Sequence, residues 1–128
     1  MRWTAPFLLL AAGCATTPPP PPAEPYRAIG TEPFWDLVIT NTMTFTDRGN
    51  DVTPVLEPTP RPIHGFAGDI YQTPRIHVNI VHARCSDGMS DRVYPDSVQV
   101  TVDGRDYRGC GAAASWFAAT DERGQPRR

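Results

Sequence analysis

The sequence predicts an all-β domain, a small antiparallel β-barrel or sandwich with one disulfide. Three observations carry this. Apolar and polar residues alternate with a period of two in Trp35–Thr40, Thr42–Thr46, Ile76–His82 and Ser97–Val102, and no long window shows a helical period. Glycine, proline and an Asp-Gly pair punctuate these stretches. Two cysteines, Cys85 and Cys110, stand within the patterned region and can crosslink it.

The chain has 128 residues, which bounds it to one domain. A net charge of −2 gives no basic footprint, so nucleic acid is not an expected partner. All 12 basic residues are arginine. Schiff-base chemistry and a lysine-dependent phosphate cradle are therefore excluded.

Residues 1–13 read as a signal peptide. Met1-Arg2 is a small basic start, and Ala5–Gly13 is an apolar run far shorter than the roughly twenty residues that a membrane-spanning helix needs. Leu10-Ala11-Ala12-Gly13-Cys14 resembles a bacterial lipobox, in which the cysteine thiol receives lipid. The alternative, an ordinary signal cut after Ala15, would discard Cys14. With lipid on Cys14, acyl chains such as palmitate would anchor the chain in a membrane. Ala15, rather than aspartate, after the cysteine favours the periplasmic face of the outer membrane. Residues 14–25 continue as a proline-rich linker. Its polyproline II geometry at about 3.1 Å per residue makes a semi-rigid tether.

The β-domain is expected over residues 26–119, followed by a disordered tail at 120–128. Pro33 cannot donate to a ladder, so a strand begins after it, with Trp35, Leu37 and Ile39 on one face. Met43 and Phe45 face inward in the next strand. Asp47–Asp51 is turn chemistry, with Gly49 and Asn50 suited to positive φ. Val52–Leu56 is expected as a third strand. Prolines 54, 58, 60 and 62 mark an edge strand or irregular crossing. Ile63–Tyr71 reads as one bent strand. Ile76, Val78 and Ile80 point inward in the next, and Ser97–Val102 ends at Asp103-Gly104, a two-residue type I′ hairpin signal. Ala112–Ala119 is the one short helix candidate.

The envelope outside the inner membrane is oxidising, so an even cysteine count implies a bridge between Cys85 and Cys110. Register supports it. If Asp103-Gly104 is the turn and no bulge intervenes at Gly109 or Gly111, Ser97 opposes Cys110 and both cysteines lie on the outward face; the alternative is two free buried thiols.

Three motifs, G-x-E-P-F-W at Gly30–Trp35, C-x-D-G-M-S with a downstream Tyr-Pro at Cys85–Pro95, and Gly-Cys-Gly at 109–111, together resemble a family of small bacterial envelope lipoproteins. Related proteins carry META-type or lysozyme-inhibitor-type domains. The resemblance implies an envelope β-domain without an assigned activity, so it transfers no catalytic residue.

The remaining candidates favour binding over catalysis. His64, His77 and His82 lack metal-ligand spacing. Asp87, Asp91 and Asp96 lack the dense oxygen alternation of a calcium loop. No nucleophile elbow surrounds a serine. No cofactor is expected. A candidate binding surface comprises Glu32, Asp87, Ser90, Arg92 and Tyr94; Glu32 is expected to satisfy backbone N–H groups or to pair with an arginine such as Arg92. The expected role is a non-enzymatic binding or inhibitory module facing an envelope protein or glycan. Alternatives are a structural or stress-related envelope protein and, third, a small hydrolase.

Overall fold

A computed structural model describes residues 24–121 together with Thr4, Pro6, Arg123 and residues 125–127. Apart from Thr4 and Pro6, the signal-peptide and Cys14 expectations lie outside the described residues. Among the described residues, eleven strands and one helix follow in chain order: β1 (Tyr26–Thr31), β2 (Phe34–Ile39), β3 (Thr42–Asp47), β4 (Val55–Pro58), β5 (Ile63–His64), β6 (Gly68–Gln72), β7 (Ile76–Val81), β8 (Cys85–Ser86), β9 (Val93–Tyr94), β10 (Asp96–Val102), β11 (Arg105–Ala113) and α1 (Ala114–Ala119).

Nine strands form one antiparallel sheet in the order β4-β3-β2-β1-β11-β10-β7-β6-β5, curled into a half-barrel. Of the two architectures open from the sequence, the sheet takes the barrel-like one. It is an up-and-down meander whose two free edges are β4 and β5. The proline-rich run after β4 passes between these edges. Its prolines supply no N–H, which keeps the edges from pairing there. Thr59 pins the run, its Oγ1 donating to Thr40 O at 2.7 Å. Glu57 of β4 accepts a bond from the Arg75 backbone N at 3.1 Å, so the β6–β7 turn touches the opposite edge.

The inner face carries the core. Trp35, Leu37, Ile39, Met43, Phe45, Ile76, Val78, Ile80, Val98 and Val100 are all buried on it. Trp35, Phe45 and Tyr107 form an aromatic triangle, with Phe45 and Tyr107 centroids 4.7 Å apart. Alternation in β2, β3, β7 and β10 therefore reads through to burial. The β10–β11 turn has positive φ at both Asp103 (48°) and Gly104 (82°), as a type I′ turn requires. Its register gives Val102↔Arg105, Val100↔Tyr107 and Ser97↔Cys110, as the sequence predicts.

Several expectations change. The strand expected over Val52–Leu56 is β4, Val55–Pro58, which starts three residues and ends two residues later. The positive φ in the β3–β4 turn falls on Asp51 (51°), because the Asp47 carboxylate takes the Asn50 N–H and side-chain amide and fixes Asn50. Ile63–Tyr71 is a hairpin, not a bent strand: β5 and β6 pair through Ile63↔Ile70 and His64↔Asp69. Contacts are present at the described residues of 120–127. Thr120 is buried and bridges Pro126, and the Arg127 N–H donates to Ala119 O at 2.8 Å.

The outer face carries a second, smaller packed layer. β8 and β9 form a two-stranded ribbon. Tyr94, Trp116 and Phe117 cluster there, with Tyr94 and Trp116 centroids 4.9 Å apart. Arg92 and Arg27 lie over these rings at 5.5–5.9 Å.

Candidate functional site

The three sequence motifs, scattered along the chain, converge on one junction. Trp35 lies against Gly30 and Gly109, and its indole N–H donates to Arg108 O at 3.3 Å. A Cβ on Gly30 would collide with the Trp35 ring, and one on Gly109 would collide with Ile29 O. Both glycines are thus required for close approach. The neighbouring Cys110 bonds Cys85 across a Cα–Cα distance of 5.5 Å. Cys110 does lie on the outward side of β11, opposite Ser97, yet it is buried, because the β8–β9 ribbon and α1 region cover it.

Asp87 organises the stapled loop. Its Oδ1 accepts the N–H groups of Met89 and Ser90 at 2.9 and 2.8 Å. Its Oδ2 accepts the Ser90 and Tyr94 hydroxyls at 2.8 and 3.2 Å. Gly88, φ 75°, makes the corner. Thr31 Oγ1 donates to Asp87 O at 3.2 Å and joins the loop to β1. Burial pushes the Asp87 carboxyl upward, but the bonds from Ser90, Met89 and Tyr94 outweigh it and hold its pKa below the usual range. A depressed folded pKa contributes stability above the unfolded value of about 3.9, and that contribution is lost as pH falls through the folded value.

The five predicted surface residues separate. Glu32 and Ser90 are exposed, and Asp87 is half-buried at the loop's centre. Tyr94 is not a surface residue: it is 1% exposed beneath Trp116 and Phe117. Arg92 does not reach Glu32. Its Nε donates to Asp121 O at 2.9 Å and its guanidinium stacks on the helix aromatics, which draw it to the other side of the loop. Beside the loop, a cleft of about 250 Å³ is lined by Thr31, Ser86, Asp87, Ser97 and Arg108 next to the disulfide. It offers hydroxyls, a carboxylate and a guanidinium. Ser97 and Arg108, absent from the predicted surface, belong to it.

Asp87→Ala is expected to lower stability by about 2 kcal/mol, since a half-buried acceptor of four hydrogen bonds is lost. Urea unfolding measures this. An unchanged midpoint would show that the loop is held by the disulfide alone.

A second polar cluster forms at the end of the half-barrel where β1 begins. His64 Nδ1 meets Asp69 Oδ1 at 2.6 Å, and His82 Nε2 lies 3.9 Å from Asp69 Oδ2. His82 Nδ1 meets Asp96 Oδ1 at 2.8 Å, and the Tyr26 hydroxyl donates to Asp96 Oδ2 at 2.8 Å. Burial and the Asp96 carboxylate hold the Tyr26 phenol far above its ordinary pKa. The hydrogen bond to Asp96 raises His82, with burial opposing and the charges of Asp96 and Asp69 adding to the rise. The clasp is therefore complete below pH about 6.5, the unperturbed histidine value, and weakens as pH rises through the higher folded value. NMR titration of the His82 ring should give a pKa above 6.5 that Asp96→Asn lowers. A value at or below 6.5 would remove the clasp.

Asp87, Asp91 and Asp96 do not assemble: Asp96 is engaged in this cluster and Asp87 in its own loop. Among the described residues, no group of three His, Cys, Asp or Glu side chains is arranged to hold a metal ion. Comparisons with protein families, with curated proteins and with solved structures find no match for this chain.

Proposed function

We propose that this chain is a lipid-anchored envelope protein of the small lipoprotein family whose motifs it resembles. Its β-domain acts as a non-enzymatic binding or inhibitory module, held through Cys14 on the periplasmic face of the outer membrane. The observation that supports this best is the state of Asp87. Both of its oxygens are engaged in building the loop, and it is held ionised at neutral pH. Such a carboxylate shapes a surface; it is a poor proton shuttle, whose pKa would need to lie near the working pH. The surface it shapes presents Ser86, Ser90 and Met89, the last 68% exposed, beside the cleft that holds Arg108. This chemistry suits a polar partner with an apolar contact, an envelope protein or a glycan.

A photo-crosslinking side chain at Met89, in intact cells, is expected to capture one discrete partner, and Asp87→Ala to abolish the capture. Capture that is diffuse, or indifferent to Asp87, would defeat the reading. Inhibition of purified lysozymes by the β-domain tests the inhibitor version separately, and its absence removes that version. Metabolic labelling with palmitate should mark the chain and be lost in Cys14→Ser; an unlabelled parent chain would refute the anchor.

The structural alternative draws on a different observation. Edge strands β4 and β5 expose Leu56 and Ile63, 58% and 53%, beside unpaired backbone groups that an added strand of a protein partner would satisfy.

A further inference from the structure

We propose that the end of the half-barrel opposite the histidine cluster is a separate binding site, for a small amphipathic anion. This goes beyond the outer-face reading, because the site lies between the β3–β4 and β10–β11 turns on the inner face. A cleft of about 260 Å³ opens there. Phe45, Val52, Val55 and Val102 give it apolar walls. Val52 is 51% exposed and lines the entrance, an apolar side chain that a ligand's body would cover. Apolar clefts with a few convergent polar groups at the mouths of barrels are the usual form of a small-molecule site.

The charges decide which ligand fits. Asp47, on the floor, is saturated: it accepts from the Asn50 N–H, the Asn50 side-chain amide and the Tyr107 hydroxyl at 2.8–3.1 Å. Asp103, on the rim, is held by Arg75 through two bonds of 3.0 and 2.8 Å. Neither carboxylate has a strong unmet need for a cation. Arg105 differs. It lines the cleft, is exposed, and forms no ion pair among the described residues. Its guanidinium acts on the neighbouring Tyr107 oxygen, where it opposes the rise in phenol pKa that burial and Asp47 cause. A planar guanidinium with free donors above an apolar cleft fits a carboxylate or other oxyanion carrying a short apolar body.

Octanoate is the probe. Added to the full chain and followed by amide NMR, it should give saturable shifts confined to Val55, Val102, Arg105, Tyr107 and their neighbours. Octan-1-ol and octyltrimethylammonium should bind at least about tenfold more weakly, since a hydrogen-bonded charge is missing or reversed. Arg105→Gln should weaken octanoate by about tenfold or more without changing the melting temperature. Val52→Asp, a surface change that puts a negative charge at the entrance, should weaken it likewise, while Arg61→Gln leaves it unchanged. Shifts that map elsewhere or never saturate would overturn the proposal. So would octanoate affinity unaltered by Arg105→Gln, or equal binding of the alcohol or the cation.

Discussion

Replacing Cys85 with serine is expected to lower the unfolding free energy by about 3–4 kcal/mol, the chain-entropy value for a bridge spanning 25 residues. For a domain of this size that is a large share of the total, and the melting temperature should fall by roughly 12 °C or more. Two contributions act together. The bridge restricts the unfolded chain, and it also fastens the β8–β9 ribbon onto β11, where Cys110 is buried. Without it, the ribbon is held by the Asp87, Thr31 and Arg92 hydrogen bonds and by the packing of Tyr94 on Trp116 and Phe117. Melting with and without reductant measures the effect, and the serine variant should resemble the reduced parent. A variant that melts with the oxidised parent would show that the staple contributes nothing.

Gly109→Ala is expected to cost about 3 kcal/mol or more, at the upper end for overpacking. A methyl there meets backbone, Ile29 O, on one side and Trp35 Cζ2 at 2.8 Å on the other. Neither can retreat easily. Ile29 O belongs to the β1–β11 ladder, and the Trp35 indole is fixed by its bond to Arg108 O and by Phe45 and Tyr107. Gly104→Ala makes the instructive comparison. It meets no atom within 4 Å, so its cost comes from φ 82° alone, about 1 kcal/mol. Chemical denaturation of the two variants should rank them in that order. Equal losses would mean that the Trp35 junction yields more readily than its packing implies.

The regions that were legible from sequence are those where one local rule decides. A two-residue turn and a period of two fix the β10–β11 register as far as Ser97↔Cys110, and from it the face of the disulfide. Proline spacing marks β4 as an edge because no tertiary contact restores a missing N–H. The β5–β6 hairpin escaped because its strands are too short, β5 having two residues, for alternation to register. The histidine cluster escaped for another reason. Tyr26, His64, Asp69, His82 and Asp96 come from separate parts of the chain, and only the curl of the sheet brings them to one end. In the stapled loop, Asp87-Gly88 was readable as a corner, but the burial of Tyr94 was not. It depends on α1 folding back over the outer face, and Ala112–Ala119 carries too little amphipathic pattern to announce that. The open-end cleft was equally hidden, since Arg105 reads as an ordinary residue after a turn.

The pairing of β1 with β11 has a consequence for how the domain comes into being. The first strand and the last are neighbours near the middle of the sheet, joined through Ala28↔Gly111 and Ile29↔Cys110. The Trp35 junction likewise needs Gly109 from the final strand. A chain emerging from its amino end can therefore form the β1–β4 meander early, but it has no floor beneath Trp35 until β11 has been delivered. Loop closure over nearly the whole domain must precede that last pairing, which makes folding slow for its size. The domain therefore completes itself only once the whole of it, from β1 to β11, is available to pair.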